Sequence, residues 1–495
     1  MPGGLIQLVS TGSEDLYLTD DPQITFFKII YRRHTNFSIE AIPQKFYSQP
    51  DFGERVTCTI SKSADLISKI YLIVDIPNVP MFVNQDGTIN TVNKFAWINK
   101  LGFMMLNRVE LEIAGQIIDR HYGDWLYIWN ELSNSNGDTG INNMIGHINE
   151  ITDFSNGKTS YRLHIPLYFW FCKYNGSALP LVALQYSTVK IHVEFNDLLE
   201  CIKVGPTNSI VVNQPMVTYQ QYEYIQQTVN NVPVYGMFLN FDIATQTLQY
   251  ISINGPFLAP TAGSNYNYTI TGLTSHAITV PQLNAVEQNI NIVIPSLSLV
   301  DAYLLVDFIF LDNNERLRFA KSNHEYLIDQ LQFEGDKTIV SNNAKIKLGF
   351  SHPCKELIFR CQYNYIANSP LNDSTNYTNY IDSTSGANII RKATLLLNGN
   401  PRFSNRTEDY FNQVQPFQSH TQSPPPGVNI YAFAINPEKH QQSGSLNFSK
   451  VDDIVLEISV DKAVSYTNPA VLKVYCFSYN ILRIINGLAG VAFSN

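Results

Sequence analysis

No Cys-x-x-Cys pair occurs among the six cysteines of this 495-residue chain, which removes the simplest zinc and dithiol sites. Cys58, Cys172, Cys201, Cys354, Cys361 and Cys476 sit mostly among apolar neighbours, as Cys58 does on the Val56/Ile60 face, and read as reduced core thiols. No uncharged apolar run reaches the roughly 18 residues of a membrane-spanning helix. Even the greasiest stretch, Leu299 to Leu311, is broken by Asp301 and Asp307. Met1-Pro2-Gly3-Gly4 lacks the cationic region of a signal peptide, and Pro2 stands where myristoylation needs glycine. Synthesis in a reducing cytosol is the expectation. Lysine and arginine are missing from the first 25 residues, which hold Glu14, Asp15, Asp20 and Asp21, and the net charge is −9. Wrapping a genome requires clustered cations, so direct nucleic-acid binding is not expected.

Catalytic signatures are missing too. There is no G-x-x-x-x-G-K-[ST], G-x-S-x-G, H-E-x-x-H or EF-hand loop, so no catalytic, cofactor-binding or metal-ligating residue is assigned and no cofactor is expected. Gly487-Leu488-Ala489-Gly490 has no helix after it and reads as a tail packed closely on backbone. Glu408-Asp409 and Asp452-Asp453 are adjacent acids whose side chains would face opposite ways on a strand, and they read as solvated turns. His34, beside Arg32 and Arg33, reads as surface or intersubunit contact rather than a metal ligand.

What is present is alternation. Hydrophobic residues make up 44% and aromatics 12% of a chain long enough for two domains, a strand-leaning globular balance. Val109, Leu111 and Ile113 share one strand face, Ala114-Gly115 turns the chain, and Ile117-Ile118 begins a return strand. Tyr122, Trp125 and Trp129 then follow at helical spacing. The same order recurs from Lys392: strand Thr394–Leu397, turn Asn398-Gly399, then Tyr410-Phe411, with the two turn glycines 284 positions apart. Strand-like segments near 39–47, 55–61, 68–76, 106–113, 161–169, 181–186, 188–196 and 301–311 are matched in order by 326–333, 344–350, 355–363, 392–397, 429–436, 446–449, 454–460 and 471–480. This predicts an all-β chain of two tandem eight-stranded antiparallel jelly-roll sandwiches, a double jelly roll. The expected division is an N-terminal arm at 1–25, a first jelly roll at 26–312, a helical linker at 313–323 and a second jelly roll at 324–495. Only the first copy carries a long insertion, about 197–300, rich in Tyr, Asn, Gln, Thr and Pro. Pieces such as Tyr266–Ile270 and Asn291–Ile294 make it a β-rich subdomain rather than a loop.

Long ordered motifs carry a family resemblance. Met1–Val9, Asp15–Thr19, Pro22–Lys28 and Tyr31–Phe37, then Gly115–Asp119, Phe308–Asp312 and His324–Ile328, and finally Ser443–Ser449 and Tyr479–Ile484, resemble major capsid proteins of nucleocytoplasmic large DNA viruses. The resemblance implies a homotrimer, a pseudo-hexagonal capsomer and an icosahedral shell in the virion of a double-stranded DNA virus. Neighbouring capsomers and minor capsid proteins would be its partners, with an internal membrane reached through the minor proteins. A tandem-sandwich carbohydrate-binding protein and a minor capsid or spike protein are the alternative readings. Of the Asn-x-Ser/Thr sequons, Asn267, Asn372 and Asn376 are the loop candidates for glycosylation.

Overall fold

In the computed structural model, residues 3–493 are described apart from 11, 30, 135–137, 214–217, 293 and 295. The alternating segments pair as the repeat requires. In the first sandwich, β1 (Phe37–Lys45), β3 (Leu66–Ile76), β6 (Tyr161–Pro166) and β8 (Asp301–Leu311) form one sheet in the order β1-β8-β3-β6. Facing it is β2-β7-β4-β5, built from β2 (Arg55–Thr59), β4 (Leu106–Ile113), β5 (Gln116–Tyr122) and β7 (Val189–Phe195). Along β7 every apolar residue is buried and every polar one half-buried, the alternation of a strand with one face in a core.

The second sandwich repeats the order. Its sheets are β9-β16-β11-β14 and β10-β15-β12-β13, where β9 is His324–Phe333, β10 Asn343–Leu348, β11 Pro353–Tyr363 and β12 Ile390–Leu397. The remaining strands are β13 Asn400–Thr407, β14 Val428–Ala432, β15 Ile454–Val460 and β16 Ala470–Ile485. Short extra strands at Leu179–Pro180, Lys337–Ile339, Leu446–Asn447 and Leu488–Val491 attach to the β1 and β9 sheets. Both hairpins of the repeat turn with positive φ at their two central residues, 53° and 82° at Ala114-Gly115 and 48° and 78° at Asn398-Gly399. That is the two-residue turn whose twist matches the strands it joins, and alanine pays more for it than asparagine.

Two expected strands are corrected. Residues 181–186 contain only a 3₁₀ turn, Leu181–Ala183, and 446–449 a two-residue strand followed by another such turn. Their places are taken by the return strands β5 and β13. The apolar run that suggested the first, with Leu181 and Leu184 buried, fills the core as a turn, because burial alone does not require extended backbone. Within the segment expected to be helical, 313–323, the helix runs Asn313–Lys321, with Asp312 accepting from the Asn314 amide at its N-cap.

Antiparallel pairing of β1 with β8 fixes which features share an end. Phe37 lies opposite Leu311 and Lys45 opposite Tyr303, so the arm before β1 and the linker after β8 leave from one end. The insertion enters β8 at the other, an 11-residue strand away, about 35 Å.

The insertion is a seven-stranded sheet with its own core of Ile210, Ile225, Phe238, Leu248, Tyr250 and Ile270. Of the expected pieces, only Ile270 of Tyr266–Ile270 is in a strand. Within Asn291–Ile294 the described residues are irregular, and Val293 lies outside the described residues. Leu239, Ile251 and Ile253 leave the insertion's core and join that of the second sandwich. Its ends meet where Asn208 pairs with Asn289 and the Ile290 amide donates to Thr207 O at 2.7 Å. Replacing residues 208–289 by a short Gly-Ser link should therefore preserve folding and self-association, at the cost of a few degrees in Tm from the uncovered second core. Native mass and thermal melting check this; a chain that no longer folds contradicts it.

Candidate functional site

Strand β11 has a feature its alternation did not announce: after Pro353 every residue is buried. One face fills the second sandwich and the other lies against the first. The first sandwich contributes the helix Gly123–Ser133, which follows β5 and presents Trp125 and Trp129 to Phe477 of β16, with ring centroids 5.9 and 4.9 Å away. Tyr122 meets Phe333 edge-on at 4.9 Å. The apolar core is consequently continuous from one sandwich into the other.

Charges are embedded in this seam. Asp124 accepts from Arg360 Nη2 and from the Tyr475 hydroxyl, each at 2.6 Å, and lies 3.2 Å from Lys473 Nζ. Burial works to raise its pKa, but Lys473 and Arg360 outweigh it and hold the carboxyl well below the usual range. A second group joins Lys355 to Asp329 at 2.9 Å, with Lys173 3.6 Å from the same carboxylate and 4.3 Å over the Trp129 ring. Burial pulls Lys173 down to about 8, against the pull of Asp329. In the third, His420 bridges Glu356 at 2.8 Å and Glu438 at 3.0 Å. Burial opposes its charge, yet the two carboxylates raise it to about 9.

The signs of the last two differ. His420 contributes its full stabilisation below its unfolded value of 6.5 and loses it as pH rises through 9. Lys173 is penalised while charged, and that penalty is relieved between 8 and 10.5. His420→Gln should remove a fall in stability of about 3 kcal/mol between pH 6.5 and 9. Urea midpoints across that range check it, and an unchanged pH profile contradicts it.

The other functional side chains are those a single chain leaves uncovered. In the short helices Gly3–Val9 and Leu16–Thr19 the described apolar side chains Leu5, Ile6, Leu8, Val9 and Leu18 are exposed, and Phe26, Phe27 and Ile29 are 90%, 98% and 92% exposed. Since β1 starts only at Phe37, the exposed arm extends past residue 25 to Asn36. His34 is exposed in this arm. Gly487, at φ 83°, accepts from the Tyr186 amide at 3.1 Å and the Ala489 amide donates to Ser187 Oγ at 3.1 Å, while the strand Leu488–Val491 itself pairs with β16 of the second sandwich. Glu408, half-buried at the start of the helical turn after β13 rather than in a solvated turn, pairs with Arg391, and half-buried Asp453 pairs with exposed Lys347.

Two of the three glycosylation candidates have their amide nitrogens engaged by the fold. Asn376 is 1% exposed and its Nδ2, the atom a sugar would need, donates to Tyr380 O and Ile381 O. Asn372 Nδ2 donates to Leu199 O and Ile202 O, both at 2.6 Å, pinning the 364–389 excursion to the foot of the insertion. Asn267 is exposed, with only its Oδ1 engaged, by Thr269. Among the described residues no group of three or more His, Cys, Asp and Glu could hold a metal ion.

The family described as major capsid protein N-terminus matches residues 25–242, and large eukaryotic DNA virus major capsid protein matches 315–490. The chain is similar to probable capsid protein 4 of Acanthamoeba polyphaga mimivirus, 40% identical with all of both chains covered. It is also similar to the major capsid proteins of Phaeocystis pouchetii virus at 33% and Paramecium bursaria Chlorella virus 1 at 32%, again over the full length of both. Among solved structures, PBCV-1 VP54 superposes with a TM-score of 0.62 at 26% identity, covering 95% of this chain and 100% of that one. The Faustovirus major capsid protein shares the fold at 0.67 and 13%, covering 96% and 94%.

Proposed function

The chain belongs to the major capsid proteins of large eukaryotic DNA viruses, and from that premise we propose that three copies form a pseudo-hexagonal capsomer of an icosahedral shell. It is a structural protein of the virion shell that associates with itself, and not an enzyme. The observation that carries the trimer is the repeat: two sandwiches with one strand order, times three chains, supply six similar corners and let a three-fold object tile a hexagonal lattice.

The arm, expected at 1–25 and here continued to Asn36, lies beneath the first jelly roll, which begins at Phe37 and runs to 312, on the inner side of the shell. There it meets neighbouring subunits or minor capsid proteins, which in turn reach an internal membrane. The insertion at 197–300 caps the outer face, and 313–323 links to the second jelly roll at 324–495. The separation of arm and insertion at opposite ends of β8 supports this polarity. Buried tryptophans at 97, 125, 129 and 170 count against the lectin reading, which would display them. Native mass spectrometry should find three times 56.0 kDa. On dilution to nanomolar concentration, loss of the trimer and unfolding should coincide, since obligate interfaces tie folding to association. A long-lived folded monomer contradicts the proposal.

A further inference from the structure

No lysine or arginine occurs between Lys203 and Arg316, nor between Arg360 and Arg391. These two stretches contain the insertion and the 364–389 excursion of the second sandwich, and they fold against each other. Tyr235 meets Tyr380 edge-on at 6.0 Å, and Leu273 and Tyr224 of the insertion pack beside Tyr365 and Tyr380 on the second core. Between them lies a cleft of about 640 Å³ lined by Tyr224, Leu273, Thr274, Tyr380, Asp382 and Ser385. Its size is that of a small-ligand site.

Both walls are fixed. On the insertion side, buried Glu223 accepts from the Thr274 amide at 3.0 Å and from the Ser275 amide at 2.8 Å and hydroxyl at 2.6 Å, holding the turn that carries Thr274. Opposite, Asn376 holds the carbonyls of Tyr380 and Ile381. Asp382 accepts from the Thr384 amide and hydroxyl and the Ser385 hydroxyl, leaving its carboxylate room for about one more donor. The lining thus offers aromatic rings, hydroxyls and a carboxylate acceptor, and no cation.

We infer that this cleft binds a neutral hexopyranose. The apolar face of such a sugar suits a tyrosine ring, and its hydroxyls can donate to Asp382 and exchange hydrogen bonds with Thr274 and Ser385. Sialylated, sulfated and phosphorylated ligands are rejected, because burying their charge beside Asp382 without a cation is costly. The cleft lies within one chain, so its failure would leave the shell assignment untouched, and the reverse holds too.

Saturation-transfer NMR and calorimetry on the soluble trimer should test glucose, galactose, mannose and N-acetylglucosamine beside sialyllactose, a heparin disaccharide and choline. Binding of at least one neutral sugar with a millimolar Kd is expected, weakened about tenfold or more by Tyr380→Ala and by Asp382→Asn, a loss of about 1.4 kcal/mol each. Tyr380→Phe keeps the ring and should keep binding, which separates stacking from loss of fold. No response from any neutral sugar at about 10 mM would overturn the inference. So would preferential binding of an anionic sugar or of choline, or neutral-sugar binding that survives both damaging variants.

Discussion

Asp124→Ala should lower the unfolding free energy by about 3–5 kcal/mol, because it strands Arg360 and Lys473 without their shared counter-charge. The Arg360 side chain is only 5% exposed, and its Nε already lacks a hydrogen-bond partner. Truncation also removes the acceptor of the buried Tyr475 hydroxyl. The loss should appear in denaturant midpoints at fixed protein concentration. Replacing Asp124, Arg360 and Lys473 together by apolar residues of similar length should recover most of it, since breaking a buried pair costs more than never having it. If the single variant is as stable as the parent, the seam is held by its aromatic contacts alone.

The arm is expected to show the opposite separation, with large loss of assembly and little loss of fold. Among the described residues its apolar side chains belong to no core, and removing residues 1–36 deletes no strand pairing of β1, only the His34 ring that lies 5.9 Å from Phe37. The truncated chain should melt within a few degrees of the parent and keep its native mass, yet form no closed shells by electron microscopy. Alone, the arm buries too little to offset its ordering entropy, so in the proposed assembly its stabilisation comes from contacts between capsomers or with minor proteins. A truncated chain that fails to fold would make the arm part of the first sandwich.

The echo of Arg108–Trp125 near Lys392 exposed the double sandwich because strand alternation and a two-residue turn are local, and local patterns survive divergence of the side chains. The length of the connection between β7 and β8 likewise marked the insertion without any structural knowledge. The seam was hidden for the converse reason: Asp124 finds Arg360 236 positions away, and no period links them. One signal was available. Lys355, Glu356 and Arg360 stand inside a run that otherwise reads as continuously apolar, Leu357-Ile358-Phe359 with Cys354 and Cys361, and a charge there must find a buried partner. The surroundings of Asn372 and Asn376 were not legible, because their sequons sit in a non-repetitive stretch that reads as a surface loop. The excursion instead folds back on the insertion and consumes both amide nitrogens.

In the proposed three-fold capsomer, two alike sandwiches per chain supply six alike corners, with the arm at one end and the insertion at the other. Single-particle imaging of the purified protein tests this most directly. The prediction is a three-fold particle of hexagonal outline, with extra density over alternate corners at one end only, lost when residues 208–289 are removed. A two-fold or extended particle, or insertion density at the arm's end, would contradict it.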